Sequence, residues 1–243
     1  MTPWIGFAGG IIATAVSLFV ALRQTRMAKE LAQINSDLAA EVHRRTALID
    51  RELDAETVLT RYREPLAAAA FDLQSRLYNI LKLGFMKNYG GDHPRAEDAV
   101  RTTLFRFAQY FGWTEILRRD IQFLSFPEAH ETQRVAELRR TISQAFLAVE
   151  YGPALMIWSD EQRAIGERMI VEKPDKLLCM GYAAFQDACG NAFFAPLLER
   201  LRDELEEDAA QERLRDVQHA LCDLVETLDP GRLRYSPDVL ERA

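Results

Sequence analysis

Residues 27–60 read "MAKELAQINSDLAAEVHRRTALIDRELDAETVLT", a run without a glycine or a proline. Apolar side chains return at Leu31, Ile34, Leu38, Val42, Ile49 and Leu53, at spacings of three, four or seven. That rhythm is helical, because positions three and four apart lie over one another on an α-helix. Arg45 stands where a strict seven-residue repeat demands an apolar side chain. The spacing is closer to an eleven-residue pattern or a plain amphipathic stripe. A solitary helix with so narrow a stripe is marginally stable in water. A partner is therefore expected, either a second copy of the chain in a coiled coil or the chain's own main domain.

Upstream lies "PWIGFAGGIIATAVSLFVAL", residues 3–22, uncharged throughout and almost entirely apolar or small. About twenty residues make a helix of roughly 30 Å, the thickness of a bilayer's hydrocarbon core. In lipid only a helix satisfies the backbone of a single segment internally. A cleaved signal peptide has a basic leader and a small-x-small cleavage site. Here the leader is Met-Thr-Pro-Trp, and the segment closes on Val20-Ala21-Leu22. A retained single-pass transmembrane anchor is thus expected over residues 1–25, with the lipid bilayer as its first partner. Arg23, Arg26 and Lys29 follow the segment and no Lys or Arg precedes it. The positive-inside bias then puts the N-terminus outside the inner (plasma) membrane and the bulk of the chain in the cytoplasm. Trp4 suits the opposite interface. Gly6 and Gly10 are four apart, and Gly9, Ala13, Ser17 and Ala21 form a stripe of small residues. Such stripes let helices approach closely in lipid, so these six are candidate self-association residues and a homo-oligomer is expected.

Downstream, helix formers dominate every segment. Pro65 suits the first turn of a new helix in "RYREPLAAAAFDLQSRLYNILKLGF", residues 61–85, whose Leu66, Ala70, Leu73, Leu77 and Ile80 mark one buried face. "KNYGGDHPRAED", residues 87–98, is the clearest loop, with Gly90-Gly91 followed by a capping Asp92 or His93. The next helix, "AVRTTLFRFAQYFGW", carries aromatics that belong in a core and is expected to end at Gly112, with Thr114 capping its successor. Ser159 reads as the cap of the following acidic helix start, and residues 175–194 as helix. A long helical region is expected from Pro196 to Leu228, ended by Asp229-Pro230-Gly231. Alternating β-branched runs are absent. The predicted fold is all-α, comprising an anchor (1–25), a juxtamembrane helix (26–60), a multi-helix cytoplasmic domain (61–229) and a C-terminal tail (230–243).

The net charge of −7 argues against general affinity for nucleic acid, which needs a basic footprint. Lysines are few and alanine is abundant, a composition resembling that of GC-rich bacterial coding. Cys179, Cys189 and Cys222 are odd in number and lack zinc or redox spacing, so they read as small buried hydrophobes in a reducing compartment.

Candidate chemistry is sparse. "PEAHE" gathers Glu128, His130 and Glu131, but Arg134 stands where an HExxH zinc motif needs its second His. Acids at a helix start explain the cluster better. "EILRRDI" and "ELRRTIS" place Arg118-Arg119 and Arg139-Arg140 on neighbouring helices, where guanidinium forks suit either an anion or the chain's many acids. Arg213 and His219 in "RLRDVQH" loosely resemble the catalytic Arg-x(4–6)-His pair of the HEPN helical-bundle RNases, although Leu214 replaces a residue that is usually polar there. That resemblance implies an RNase-like helical enzyme as the alternative to an interaction module. A membrane-perturbing effector that oligomerises through its anchor is the other alternative. No catalytic, cofactor or metal residue is assigned from sequence. The expectation is a membrane-tethered adaptor, scaffold or regulator that recognises a protein partner through helix faces.

Overall fold

Runs of alanine and leucine with a three-four apolar rhythm favour helix at almost every position, and the computed structural model is mainly α-helical. It describes the backbone of residues 4–121, 130–174, 176–205 and 208–243. Side chains are described for residues 23–50, 53, 60–120, 133–174, 176–205 and 210–243. The chain divides into two units, Met1–Arg51 and Glu52–Ala243. Helix α1 spans Trp4–Leu81. Side chains of the expected anchor, with Gly6, Gly9, Gly10, Ala13, Ser17 and Ala21, lie outside the described residues. Among the described residues no helix is long and apolar enough to cross a membrane.

Pro65 was expected to begin a helix and instead sits inside α1. Its ring removes one hydrogen bond to the carbonyl of Arg61, and Arg61 is an exposed residue, so the loss falls at the surface rather than in the core. After α1 come α2 (Phe85–Tyr89), α3 (Ala96–Ile121), α4 (His130–Leu147), α5 (Ser159–Arg168), α6 (Tyr182–Ala188), α7 (Phe194–Glu204) and α8 (Asp208–Leu228). The loop at Gly90-Gly91 is where the sequence puts it, with Gly91 in the left-handed region at φ 54°. Ser159 is the first residue of α5 rather than its cap; the carboxylate of Glu161 accepts the Trp158 amide at 2.8 Å.

The core of the second unit joins Leu66, Leu73 and Leu77 of α1, Leu104, Phe107 and Phe111 of α3, Ile142 and Phe146 of α4, and Leu214, Val217 and Leu221 of α8. Phe146 packs against both Phe107 and Phe111, with ring centroids 5.8 and 5.4 Å apart. The aromatic helix is thus central, as its composition demands.

Two features depart from the expected helices. Residues 170–179 form an antiparallel hairpin, β1 (Ile170–Lys173) with β2 (Lys176–Cys179), in which Ile170 faces Cys179 and Lys173 faces Lys176. The intervening Pro174 cannot continue a helix and favours a tight turn. Gly112 does not end α3. It lets the hairpin approach, since a β-carbon there would lie 2.7 Å from Cys179 Sγ and 2.8 Å from Met169 Cβ. Gly166 on α5 serves the α3 crossing in the same way, since a β-carbon there would lie 2.6 Å from the Phe111 carbonyl oxygen.

The segment after α8 is packed, not loose. The Asp229 carboxylate accepts the amides of Leu233, Arg234 and Tyr235. Tyr235 stacks on Phe71 of α1 with centroids 4.5 Å apart, and Leu240 is buried. The buried amide groups of Gln74 and Gln218 bind the carbonyls of Val239 and Glu241.

Candidate functional site

Along the juxtamembrane part of α1, Met27, Leu31, Ile34, Leu38, Val42 and Ile49 are each between 54 and 61% exposed. The eleven-residue step is explicit: Met27, Leu38 and Ile49 repeat at that interval, as do Leu31 and Val42. Eleven residues make three turns at about 3.67 per turn, so the stripe stays on one face of a nearly straight helix. Polar neighbours neutralise one another along the flanks. Glu41 meets Arg44 at 3.6 Å and Arg45 at 3.0 Å, and Gln33 donates to Asp37 at 3.1 Å. Arg45, which interrupts the apolar series, is therefore held by an acid on its own helix.

Arg213 and His219 each have partners of their own. The Arg213 side chain is fully buried and donates to five main-chain carbonyls. Its Nε reaches Ala154 at 2.9 Å, and Nη1 reaches Phe146 and Ala148 at 2.9 Å and Ala145 at 3.2 Å. Nη2 bonds Gly152. Ala145 and Phe146 belong to the last turn of α4, whose carbonyls have no partner within the helix and carry its negative dipole end. Arg213 is a cap for that end. Burial draws its pKa down, while Glu150, Tyr151 and Glu204 oppose that shift. His219 Nε2 lies 2.9 Å from the Ala243 carbonyl oxygen and lines a surface cleft with Glu150, Asp216 and Asp223. Sequence spacing alone gives no sign that Arg213 serves a helix terminus 65 residues away, because nothing local encodes that partner.

The two arginine doublets separate by role. Arg118, Arg139 and Arg140 line one cavity between α3, α4 and α5. Arg119 turns to Glu115 at 3.1 Å, with Glu167 and Glu172 beyond. Glu115 is buried and also bound twice by Arg118 at 2.7 Å. Burial pushes its carboxyl pKa up, but the two guanidiniums outweigh that and hold it below the ordinary carboxylate range.

All three cysteines are free thiols. Burial pushes Cys179 up to about 12 and Cys222 up to about 11. The side chains of Glu128, His130 and Glu131 lie outside the described residues. Among the described residues no group of three or more His, Cys, Asp or Glu is arranged to hold a metal ion. No family model matches the chain, and neither does any curated protein or solved structure.

Proposed function

We propose that this protein is a membrane-tethered helical interaction module that assembles with copies of itself and presents its helical domain to a protein partner at the inner face of a membrane. The uncharged stretch from Pro3 to Leu22 and its flanking Arg23, Arg26 and Lys29 support the tether and its orientation. The observation that carries self-assembly is the exposed stripe Met27–Ile49 with its eleven-residue repeat. Large apolar side chains repeated on one face and left in water mark an interaction surface. Taking the exposed part of each out of water contributes about 1 kcal/mol, and six per chain over two chains gives roughly 10 kcal/mol gross. That is comparable to the cost of association, which a shared membrane lowers by raising effective concentration. Identical tethers also bring identical faces together in parallel register.

The test is cross-linking of the full-length protein in native membranes, with mass spectrometry of the captured species. Self-cross-links within residues 23–50 are expected, lost on Leu31→Glu with Leu38→Glu and reduced by Gly9→Ile with Ala13→Ile. Both stripe positions are exposed, so the charged variants leave the helical domain intact. Undiminished self-cross-linking in the stripe variants would overturn self-assembly through this helix. Release of the protein from membranes by alkaline carbonate would overturn the tether.

A further inference from the structure

The cavity between α3, α4 and α5 has a volume of about 290 Å³. Tyr110, Thr114 and Arg118 line it from α3, Arg139 and Arg140 from α4, and Arg163 from α5. In a chain of net charge −7, four arginines and a single carboxylate, Glu115, line this cavity. That carboxylate is already bound by Arg118 and Arg119, and it reaches Arg139 only through its field. Arg140 has no ion pair among the described residues. Arg163 has only a 4.0 Å approach to Asp160, which is almost fully in water. Arg139 gives Nη2 to the Thr114 carbonyl at 3.0 Å, an uncharged acceptor.

A second observation points to an absent ligand. Five buried side-chain polar atoms among the described residues have no hydrogen-bond partner, and three of them belong to this cavity: Tyr110 Oη, Thr114 Oγ1 and Arg139 Nε. Tyr110 is 2% exposed, and its hydroxyl lies beside Thr114 without completing an aligned bond to it. Buried polar groups are almost always satisfied, so a neighbouring pair of hydroxyls and a guanidinium N–H left incomplete on residues lining one cavity require an explanation. Two hydroxyls and an N–H donor, backed by guanidiniums that outnumber the single carboxylate of the lining, are what an oxyanion needs.

We infer that this cavity binds a small phosphate-bearing ligand, its phosphate oxygens held by Arg139 and Arg140 and by the hydroxyls of Tyr110 and Thr114. Phosphate is favoured over carboxylate because a dianion with three terminal oxygens engages several forks at once. Burial pushes the Tyr110 pKa up to about 12, which keeps that phenol a neutral donor at cellular pH. The cavity lies near the lower end of the ligand-pocket range, so it suits a phosphate monoester rather than a dinucleotide. The site lies wholly within Glu52–Ala243 and does not depend on self-assembly through α1.

The test uses the full chain in phosphatidylcholine nanodiscs, titrated with inorganic phosphate and with ribose 5-phosphate against chloride at matched ionic strength. Calorimetry and thermal unfolding are the readouts. A saturable rise in Tm is expected. Arg140→Gln, at an exposed position, should leave the ligand-free Tm unchanged and weaken binding about tenfold, the loss of one charge-assisted hydrogen bond. Arg44→Gln removes the same charge from α1 and should leave binding unaltered. Nanodiscs containing phosphatidic acid distinguish the source. An Arg140-dependent stabilisation there, competed by ribose 5-phosphate, identifies a lipid headgroup as the phosphate donor. Stabilisation by the soluble phosphates alone identifies a free metabolite. No saturable response to any of the three probes, or an equal response in Arg140→Gln, overturns the site.

Discussion

Replacing Arg213 with alanine should cost this protein a large part of its stability. Of the five carbonyls that Arg213 binds, Ala145 and Phe146 keep other donors, the amides of Ala148 and Ile157. Ala148, Gly152 and Ala154 have no other donor among the described residues. An unsatisfied buried carbonyl costs about 1–3 kcal/mol. Ala148 and Gly152 are half-buried and recover water, at about 1 kcal/mol each, while Ala154 is buried and loses about 2 kcal/mol. Lost packing of the arginine stem brings the total to roughly 5 kcal/mol, against about 5–15 kcal/mol for a whole domain. With a urea dependence of about 2–3 kcal/mol/M, the unfolding midpoint should fall by roughly 2 M. Arg213→Lys retains the charge but concentrates its donors at one point, so it should recover less than half of the loss. The assay is equilibrium urea unfolding followed by fluorescence of Trp113 and Trp158. A midpoint within about 0.3 M of the parent, or a stable variant that loses an RNA-cleaving activity, would refute the capping role and restore the enzyme reading.

Other consequences can be checked alongside. Gly166→Ala drives a β-carbon into the Phe111 carbonyl and should destabilise by about 1–3 kcal/mol in the same unfolding assay. The folded Glu115 carboxyl titrates below its ordinary value, so the stability it contributes is full above that value and is lost as pH falls through the folded pKa. Glu115→Gln should accordingly flatten the acid limb of a Tm-against-pH curve while lowering Tm at neutral pH. Native protein at pH 8 should leave Cys179, Cys189 and Cys222 unreacted with a thiol-specific chromogen, all three reacting after denaturation, because burial raises each thiol's pKa. Arg45→Leu completes the apolar series on α1 and should tighten self-association about tenfold by energy transfer between labelled copies.

Periodic features were legible in the sequence. Leu66, Leu73 and Leu77, and likewise Leu214, Val217 and Leu221, are buried where their spacing puts them, because one apolar face of a helix must be covered. The juxtamembrane stripe is equally plain from spacing. What sequence missed depends on partners distant along the chain. Gly112 looks like a helix stop until the hairpin is laid against it, and Pro65 looks like a start until the helix is seen to run through it with Arg61 exposed. The hairpin itself is only four residues per strand, too short to show a period against helix-forming flanks. Arg118, Arg139 and Arg140 could be named from sequence as two doublets. That they line one cavity with Tyr110 and Thr114 follows only from how α3, α4 and α5 cross.

The polar seal around Gln74 and Gln218 has a kinetic consequence. Gln218 donates to Gln74 at 3.1 Å across 144 residues, and Gln74 donates to the Val239 carbonyl across 165. Helical proteins usually fold fast because their contacts are local. Closing a loop of this length costs about 2–3 kcal/mol more entropy than closing one of ten residues. Those hydrogen bonds return nothing until α1, α8 and the terminal segment are all in place. The individual helices should therefore form early, and the joining of residues 74, 218 and 239 should set the pace of the last step. Truncating either glutamine would then speed unfolding far more than it slows folding.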